Sequence, residues 1–169
     1  MTLAHFCLLC GTPLEVKLIE GRDREFCPAC GWINYEHLKV SAGCRVEKNG
    51  QLLLVKRRNP PFKETWHLPS GYVEGDEEPA VAAVRETREE TGLDVSAGRL
   101  VGAYYYDDDE RGNGVVLFYD AMILSGQLGV SDETLEVRFF APAELNALPL
   151  AGMSAAHSIR DWLAEQKNV

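Results

Sequence analysis

Three glutamates, Glu86, Glu89 and Glu90, stand at i, i+3 and i+4 in the stretch GYVEGDEEPAVAAVRETREETGL that runs from Gly71 to Leu93. On a helix, that spacing puts all three carboxylates on one face. Carboxylates that close repel one another. A face that keeps them together suits a hard divalent cation, which takes carboxylate oxygens, waters and substrate phosphates. Arg85, four residues before Glu89, can hold that carboxylate in place. The alternative is a solvated acidic helix with ion pairs along its own surface.

A second set of residues has metal-ligand spacing. Cys7-Leu8-Leu9-Cys10-Gly11 and Cys27-Pro28-Ala29-Cys30-Gly31 are two CxxCG pairs separated by sixteen residues. Each can form a knuckle that points two thiolates inward, and two facing knuckles complete a tetrahedral four-cysteine zinc site. Four protein ligands leave no position for a catalytic water, so this zinc is structural and stands in for the core that so short a segment cannot build. Disulfides and CxxC redox chemistry are the alternatives. His5 reads as a bystander, and Cys44 as a small buried hydrophobe.

These residues need elements to hold them. A helix is predicted over Pro79 to Thr91, with Pro79 in its first turn, Gly92 at its C-cap, and Asp76, Glu77 and Glu78 where the helix dipole favours negative charge. Residues 39–47 and 51–58 read as strands joined at the Asn49-Gly50 turn. Further strands are predicted over 99–106, 115–123 and 135–141, with a short helix start at 142–145 and an amphipathic helix over 155–166. The run Asp107 to Gly114 reads as an exposed loop, with a flap beside the metal site as the lesser alternative. Tyr104, Tyr105 and Tyr106 must alternate in direction along their strand. Trp66 reads as core, and His67 takes no role.

The chain of 169 residues, 46% hydrophobic and 25% charged, has room for one compact domain and a small appendage. Its formal net charge of -9 argues against nucleic acid as a partner and leaves room for a small phosphorylated ligand met by metal and a few basic side chains. The N-terminus lacks the pattern of a signal peptide, and no apolar run is long enough to span a bilayer, so a cytoplasmic protein with no membrane partner is expected.

The frame Gly71, five residues, Glu77, seven residues, then Arg85-Glu86-Thr87-Arg88-Glu89-Glu90-Thr91-Gly92-Leu93 resembles the Nudix box of the Nudix hydrolases. Thr87 departs from it, since an aliphatic residue is commoner there, and Ser70 stands where another glycine is frequent. The resemblance implies an α/β fold, a Nudix α/β/α sandwich with a mixed sheet over 37–169, preceded by a zinc ribbon over 1–36. It implies Mg²⁺ or Mn²⁺ on Glu86, Glu89, Glu90 and the Gly71 carbonyl, with Arg85 in the catalytic set. Glu89 leads as general base, and Glu133 and Glu136 follow. Arg57 and Arg58, at a basic strand end, are candidates for bidentate contact with a diphosphate.

The order of ribbon then Nudix domain is similar to pyrophosphatases acting on ADP-ribose, FAD or NADH. CPACGWINY and LEVRFFAPAEL lean toward the FAD and ADP-ribose group. The implied reaction splits a nucleoside diphosphate linked to a second moiety into a nucleoside monophosphate and a phosphorylated moiety. The alternatives are hydrolysis of an oxidised nucleoside triphosphate and a non-catalytic ligand sensor. A homodimer is compatible with the resemblance.

Overall fold

The structure, a computed structural model, describes residues 6–167, and the chain divides into two compact units, Met1–His37 and Leu38–Val169. In the first unit, β1 (Glu15–Ile19) and β2 (Arg22–Phe26) form an antiparallel hairpin. Both turn residues, Glu20 and Gly21, have positive φ, which matches the twist of a tight hairpin. In each knuckle the glycine N–H donates back to the first cysteine carbonyl, Gly11 to Cys7 at 2.8 Å and Gly31 to Cys27 at 3.0 Å. These bonds turn the backbone so that the thiols converge.

The sulfurs of Cys10 and Cys27 are 3.5 Å apart, and Cys30 lies 3.6 Å from both Cys7 and Cys10. A disulfide needs about 2.05 Å. Four thiolates held about 2.3 Å from a zinc ion would be about 3.8 Å apart, so the cluster fits a tetrahedral zinc and not a pair of disulfides. All five cysteines are free thiols, and Cys44 is buried within the second unit with its S–H directed at the Ala83 carbonyl. His5 lies outside the described residues.

In the second unit, β3 (Lys39–Lys48) and β4 (Gln51–Arg57) form the expected hairpin about Asn49-Gly50. Two short strands follow, β5 (Trp66–His67) and β6 (Ser70–Tyr72), and then α1 (Pro79–Thr91). The chain continues through β7 (Leu93–Tyr106), β8 (Gly114–Gly126), β9 (Thr134–Phe140), α2 (Pro142–Leu145) and α3 (Gly152–Gln166). The sheet order is β5-β4-β3-β8-β7, with β6 also on β3 and β9 also on β4. The β3–β8 pair is parallel and the other pairs are antiparallel, so the sheet is mixed.

Strand β4 explains the layering. Leu52 and Leu54 face one core with Trp66, Phe118, Ile159 and Trp162, while Leu53 faces the other with Val46, Ala82 and Ala83. Burying each leucine is worth roughly 1.5–3 kcal/mol. Three in a row therefore rival the whole stability of a small domain, and a one-residue slip of β4 would misplace all three. α1 packs through Ala82 and Ala83, whose small side chains let it lie close on the sheet. Thr87 is fully buried there, and its hydroxyl donates to the Ala83 carbonyl at 2.7 Å, so its polar atom is satisfied inside the helix.

Two elements differ from expectation. β7 starts at Leu93, directly after α1, and carries three register shifts between Asp94 and Gly102, which hide its period-2 pattern. α3 begins at Gly152, three residues before the expected start. In β9, Lys56 opposes Glu136 while Arg57 opposes Thr134, so Leu135 is an extra residue in a bulge. Among the described residues, no helix is long and apolar enough to cross a membrane.

Purified protein should carry about one zinc per chain, and Cys27→Ser should lose it together with the ribbon's protease resistance. Zinc well below one equivalent in chelator-free preparations would rule out the closed site.

Candidate functional site

The three glutamates reach different environments from one helix. Glu90 is buried at 5% exposure, and its carboxylate accepts the Ser70 N–H at 2.9 Å. The Glu86 side chain is 13% exposed and lies against the backbone of Gly71, where an added Cβ would collide with its carboxylate. Glu89 stays open to solvent, with its side chain 58% exposed. β6 thus brings its bare backbone up to the helix, and only glycine at position 71 allows that approach.

Arg85 holds this arrangement. Its Nη1 donates to Glu86 at 2.6 Å and Glu89 at 3.2 Å, its Nη2 donates to the Tyr72 carbonyl at 3.0 Å and to Glu77, and its Nε donates to Glu77 at 3.2 Å. These five contacts match the five N–H donors of a guanidinium. Arg85 is a brace behind the carboxylates and does not line the cleft they face. Glu77, predicted at the helix N-terminus, is the loop end of that brace, and Arg85 holds its carboxyl below the usual range.

A cleft of about 330 Å³ opens on this group. α1 contributes Glu86, Glu89 and Glu90, the segment before β9 contributes Glu133, and β4 contributes Arg57. Tyr72, Tyr106, Phe62 and Arg111 add aromatic and cationic surface. Burial pushes Glu90 up to about 8, against the Ser70 N–H and helped by the nearby Glu86 charge. Burial likewise raises Glu86. Buried carboxylates pushed upward in this way are acceptors for a cation.

The structure separates several predicted pairs. Arg57 lines the cleft, but Arg58, the next residue, is turned away, and its guanidinium donates to the carbonyls of Thr134 at 2.8 Å and Ser131 at 3.4 Å. β4 ends at Arg57, and at Arg58 the backbone is instead tied to the segment before β9, its N–H donating to the Glu133 carbonyl at 2.9 Å. Arg58 holds a loop, and a diphosphate role for it does not fit this placement. Glu133 lines the cleft, whereas Glu136 is exposed opposite Lys56 and does not.

Trp66 is core, edge-on to Phe140 with ring centroids 4.7 Å apart. His67 lines the cleft but is held neutral, since burial and then the Arg57 charge lower it to about 3. The three tyrosines alternate as expected. Tyr106 is buried on the cleft, Tyr105 is exposed, and the Tyr104 hydroxyl donates to Asp161 at 3.2 Å. His157 and Ser158 stay within α3, where Ser158 is buried and donates to the Ala155 carbonyl.

The loop between β7 and β8 is exposed as expected but also reaches the cleft. It is largely exposed, yet Asp108, Asp109 and Arg111 line the cleft. Sequence reasoning missed these residues and Tyr72. The only signal for them was the flap alternative, because their position depends on strand pairing.

With this geometry in view, the NUDIX domain family model matches residues 36–163, and the Nudix N-terminal zinc-ribbon family model matches residues 5–36. The chain belongs to the Nudix hydrolase family. It is 36% identical over 156 residues to the ADP-ribose pyrophosphatase of Methanocaldococcus jannaschii, covering 92% of this chain and 88% of that one. It is 29% identical over 164 residues to the NAD-capped RNA hydrolase NudC of Stutzerimonas stutzeri, covering 96% of this chain but only 57% of that protein. The crystal structure of a NUDIX hydrolase from Nitrosomonas europaea superposes with a TM-score of 0.82 at 30% identity, over 96% of this chain and 92% of that one.

The Nudix glutamates do not form a closed cage. Among the described residues, only the four cysteines bring three or more ligand atoms within 4.8 Å of one another. An open set of carboxylates beside a bare glycine backbone fits a hard divalent cation that completes its shell with water and substrate oxygens.

Two outcomes follow. Gly71→Ala should displace the Glu86 carboxylate and lower activity by about 100-fold with little loss of fold, a misplacement effect read from kcat beside a circular-dichroism melt. Glu90 has a folded pKa above its unfolded value, so it stabilises the cation-free protein fully below about pH 4.5, and that contribution is lost as pH rises through about 8. Melting temperature without added divalent cation should therefore fall across this window, and Glu90→Gln should flatten the fall. An unchanged slope in that variant would show that Glu90 is ionised in the folded protein.

Proposed function

We propose that the cleft hydrolyses the diphosphate bridge of a nucleoside diphosphate linked to a second moiety, of the ADP-ribose, FAD or NADH class. The observation that carries this reading is the meeting of Glu86 and Glu90, both withdrawn from water beside the Gly71 backbone, with Arg57 in one open cleft. The M. jannaschii relative, named an ADP-ribose pyrophosphatase, supports the substrate class. The name of the S. stutzeri relative puts dinucleotides that contain nicotinamide beside it. The net charge of -9 disfavours a long RNA as the bulk of the substrate.

Glu86, Glu89, Glu90 and the Gly71 carbonyl are the residues that would hold Mg²⁺ or Mn²⁺. Such a cation supplies positive charge to the diphosphate oxygens and acidifies a bound water. The chain's own residues do the rest. Arg57 meets the diphosphate with its guanidinium. Arg85 touches no reacting atom and keeps Glu86 and Glu89 aimed, so its role is positioning. Glu89, held by Arg85, is the most exposed of the three and open at the cleft, where it can take the proton of the attacking water. Glu133 is the next base in line, and Glu136 is set aside because it does not line the cleft. The water oxygen bonds to one phosphorus, the P–O–P bond breaks, and the bridging oxygen leaves with the other phosphate.

Incubation with ADP-ribose, FAD, NADH and an oxidised deoxynucleoside triphosphate, each with Mg²⁺ and with Mn²⁺, should release AMP fastest from one of the first three. Glu89→Gln should lower kcat by about 10²–10⁴-fold, the range of a lost general base. Preference for the triphosphate would overturn the substrate class, and no turnover of any of them would overturn the reaction. Light scattering of the same sample would test the homodimer.

A further inference from the structure

Within the loop between β7 and β8, Asp109 and Arg111 form a tight pair. Arg111 Nε lies 3.0 and 3.1 Å from the two Asp109 carboxylate oxygens, Nη2 donates to Oδ2 at 2.7 Å, and the Arg111 N–H donates to Oδ1 at 2.8 Å. That geometry uses one edge of the guanidinium and leaves the Nη1 donors without a partner among the described residues. The ring of Tyr72 lies 5.9 Å from the guanidinium carbon.

The loop itself is pinned. Lys39 Nζ donates to the Arg111 carbonyl, the Gly112 N–H donates to the Asp109 carbonyl at 2.9 Å, and Asp108 accepts the Met153 N–H of α3 at 2.7 Å. Arg111 is therefore presented to the cleft in a fixed pose.

Arg57 shows what that pose is for. Its guanidinium is half-buried, its Nε donates to the Pro61 carbonyl at 3.1 Å, and among the described residues no carboxylate lies within ion-pairing distance of it. The neighbouring Arg111 charge acts against it, second only to burial. Two guanidiniums face one cleft, then, one without a carboxylate and one with free donors. An anion with oxygens on two centres relieves the repulsion and satisfies the donors.

We propose that Arg111 is the second guanidinium that grips the substrate's diphosphate, in the place that sequence reasoning assigned to Arg58, and that Asp109 is the positioning residue that presents it. This deepens the proposed pyrophosphatase reading and rests on it for the substrate. The site itself is tested with inorganic pyrophosphate, which needs no turnover.

Calorimetric titration of inorganic pyrophosphate with Mg²⁺ should show affinity falling about tenfold or more in Arg111→Gln, the scale of a lost hydrogen bond between charged groups, with partial recovery in Arg111→Lys. Asp109→Asn should weaken binding in the same direction. The double variant should be no weaker than Arg111→Gln alone, because Asp109 acts only through Arg111. In turnover of the best substrate, KM should rise while kcat changes by less than about threefold, the pattern of a contact made equally in ground and transition states.

Unchanged pyrophosphate affinity in Arg111→Gln, or losses that simply add in the double variant, would overturn the assignment. Should Arg111→Gln not fold, Arg111→Lys and Asp109→Asn decide by the same titration. A wild-type protein that binds pyrophosphate but cleaves none of the dinucleotides would refute the proposed reaction and leave the Arg111 result standing.

Discussion

The guanidinium of Arg85 ties the loop that precedes α1 to α1 itself. It reaches back to the Tyr72 carbonyl and Glu77 and forward to Glu86 and Glu89, so four groups from β6, the loop after it and α1 share one cation. The side chain is about a third exposed, and solvent screening weakens each contact taken singly. Its importance is geometric. β6 carries Gly71, and its contact with Glu86 is held in part by the Arg85 bond to the Tyr72 carbonyl in the same strand. Ser70 belongs to the same strand and orients Glu90 through its N–H. The approach of bare backbone to two buried carboxylates thus rests on this brace together with the pairing of β6 on β3.

An acidic protein that binds a polyanion has an evident problem, and the cleft resolves it locally. Glu86, Glu89, Glu90 and Glu133 come from α1 and from just ahead of β9, while the guanidiniums of the cleft arrive from β4 and from the loop after β7, where Asp109 pairs with one edge of Arg111. Carboxylates withdrawn from water favour a cation, and guanidiniums with unpaired donors favour an anion. A metal diphosphate offers both in one ligand. Arg57 has no carboxylate within ion-pairing distance among the described residues and Arg111 keeps one edge free, whereas Arg45 elsewhere is paired with both Asp120 and Glu165.

Much of this was legible in the sequence, where local rules sufficed. Helix α1 was read to its ends because Pro79 and Gly92 are strong local signals, and the β3–β4 hairpin because Asn49-Gly50 permits positive φ at both positions. The four-cysteine cluster followed from spacing alone. Arg111 was not legible, since its place depends on which strands pair. β3 carries β6 on one edge, with Ser41 opposite Tyr72, and β8 on the other, with Lys39 opposite Gly114. That shared neighbour brings the loop after β7 beside Tyr72, and neither loop contains a residue that announces it. The start of β7 was hidden for a related reason, because its register shifts break the alternation by which strands are recognised. Arg58 shows the opposite error, in which the residue type suited a phosphate but the carbonyls of Ser131 and Thr134 take its guanidinium.

The bulge at Leu135 works differently from any of these side chains. It lets Thr134 turn its carbonyl to Arg58 while its hydroxyl accepts the Ser131 N–H at 2.8 Å, which fixes the segment that carries Glu133 at the end of β4. What matters there is the number of residues and not their chemistry. Loss of one residue at that point would leave every cleft side chain in the protein, yet draw the Glu133 segment along the strand by about 3.3 Å. Reach across this cleft is therefore adjustable by chain length, a variable that scanning by substitution does not sample.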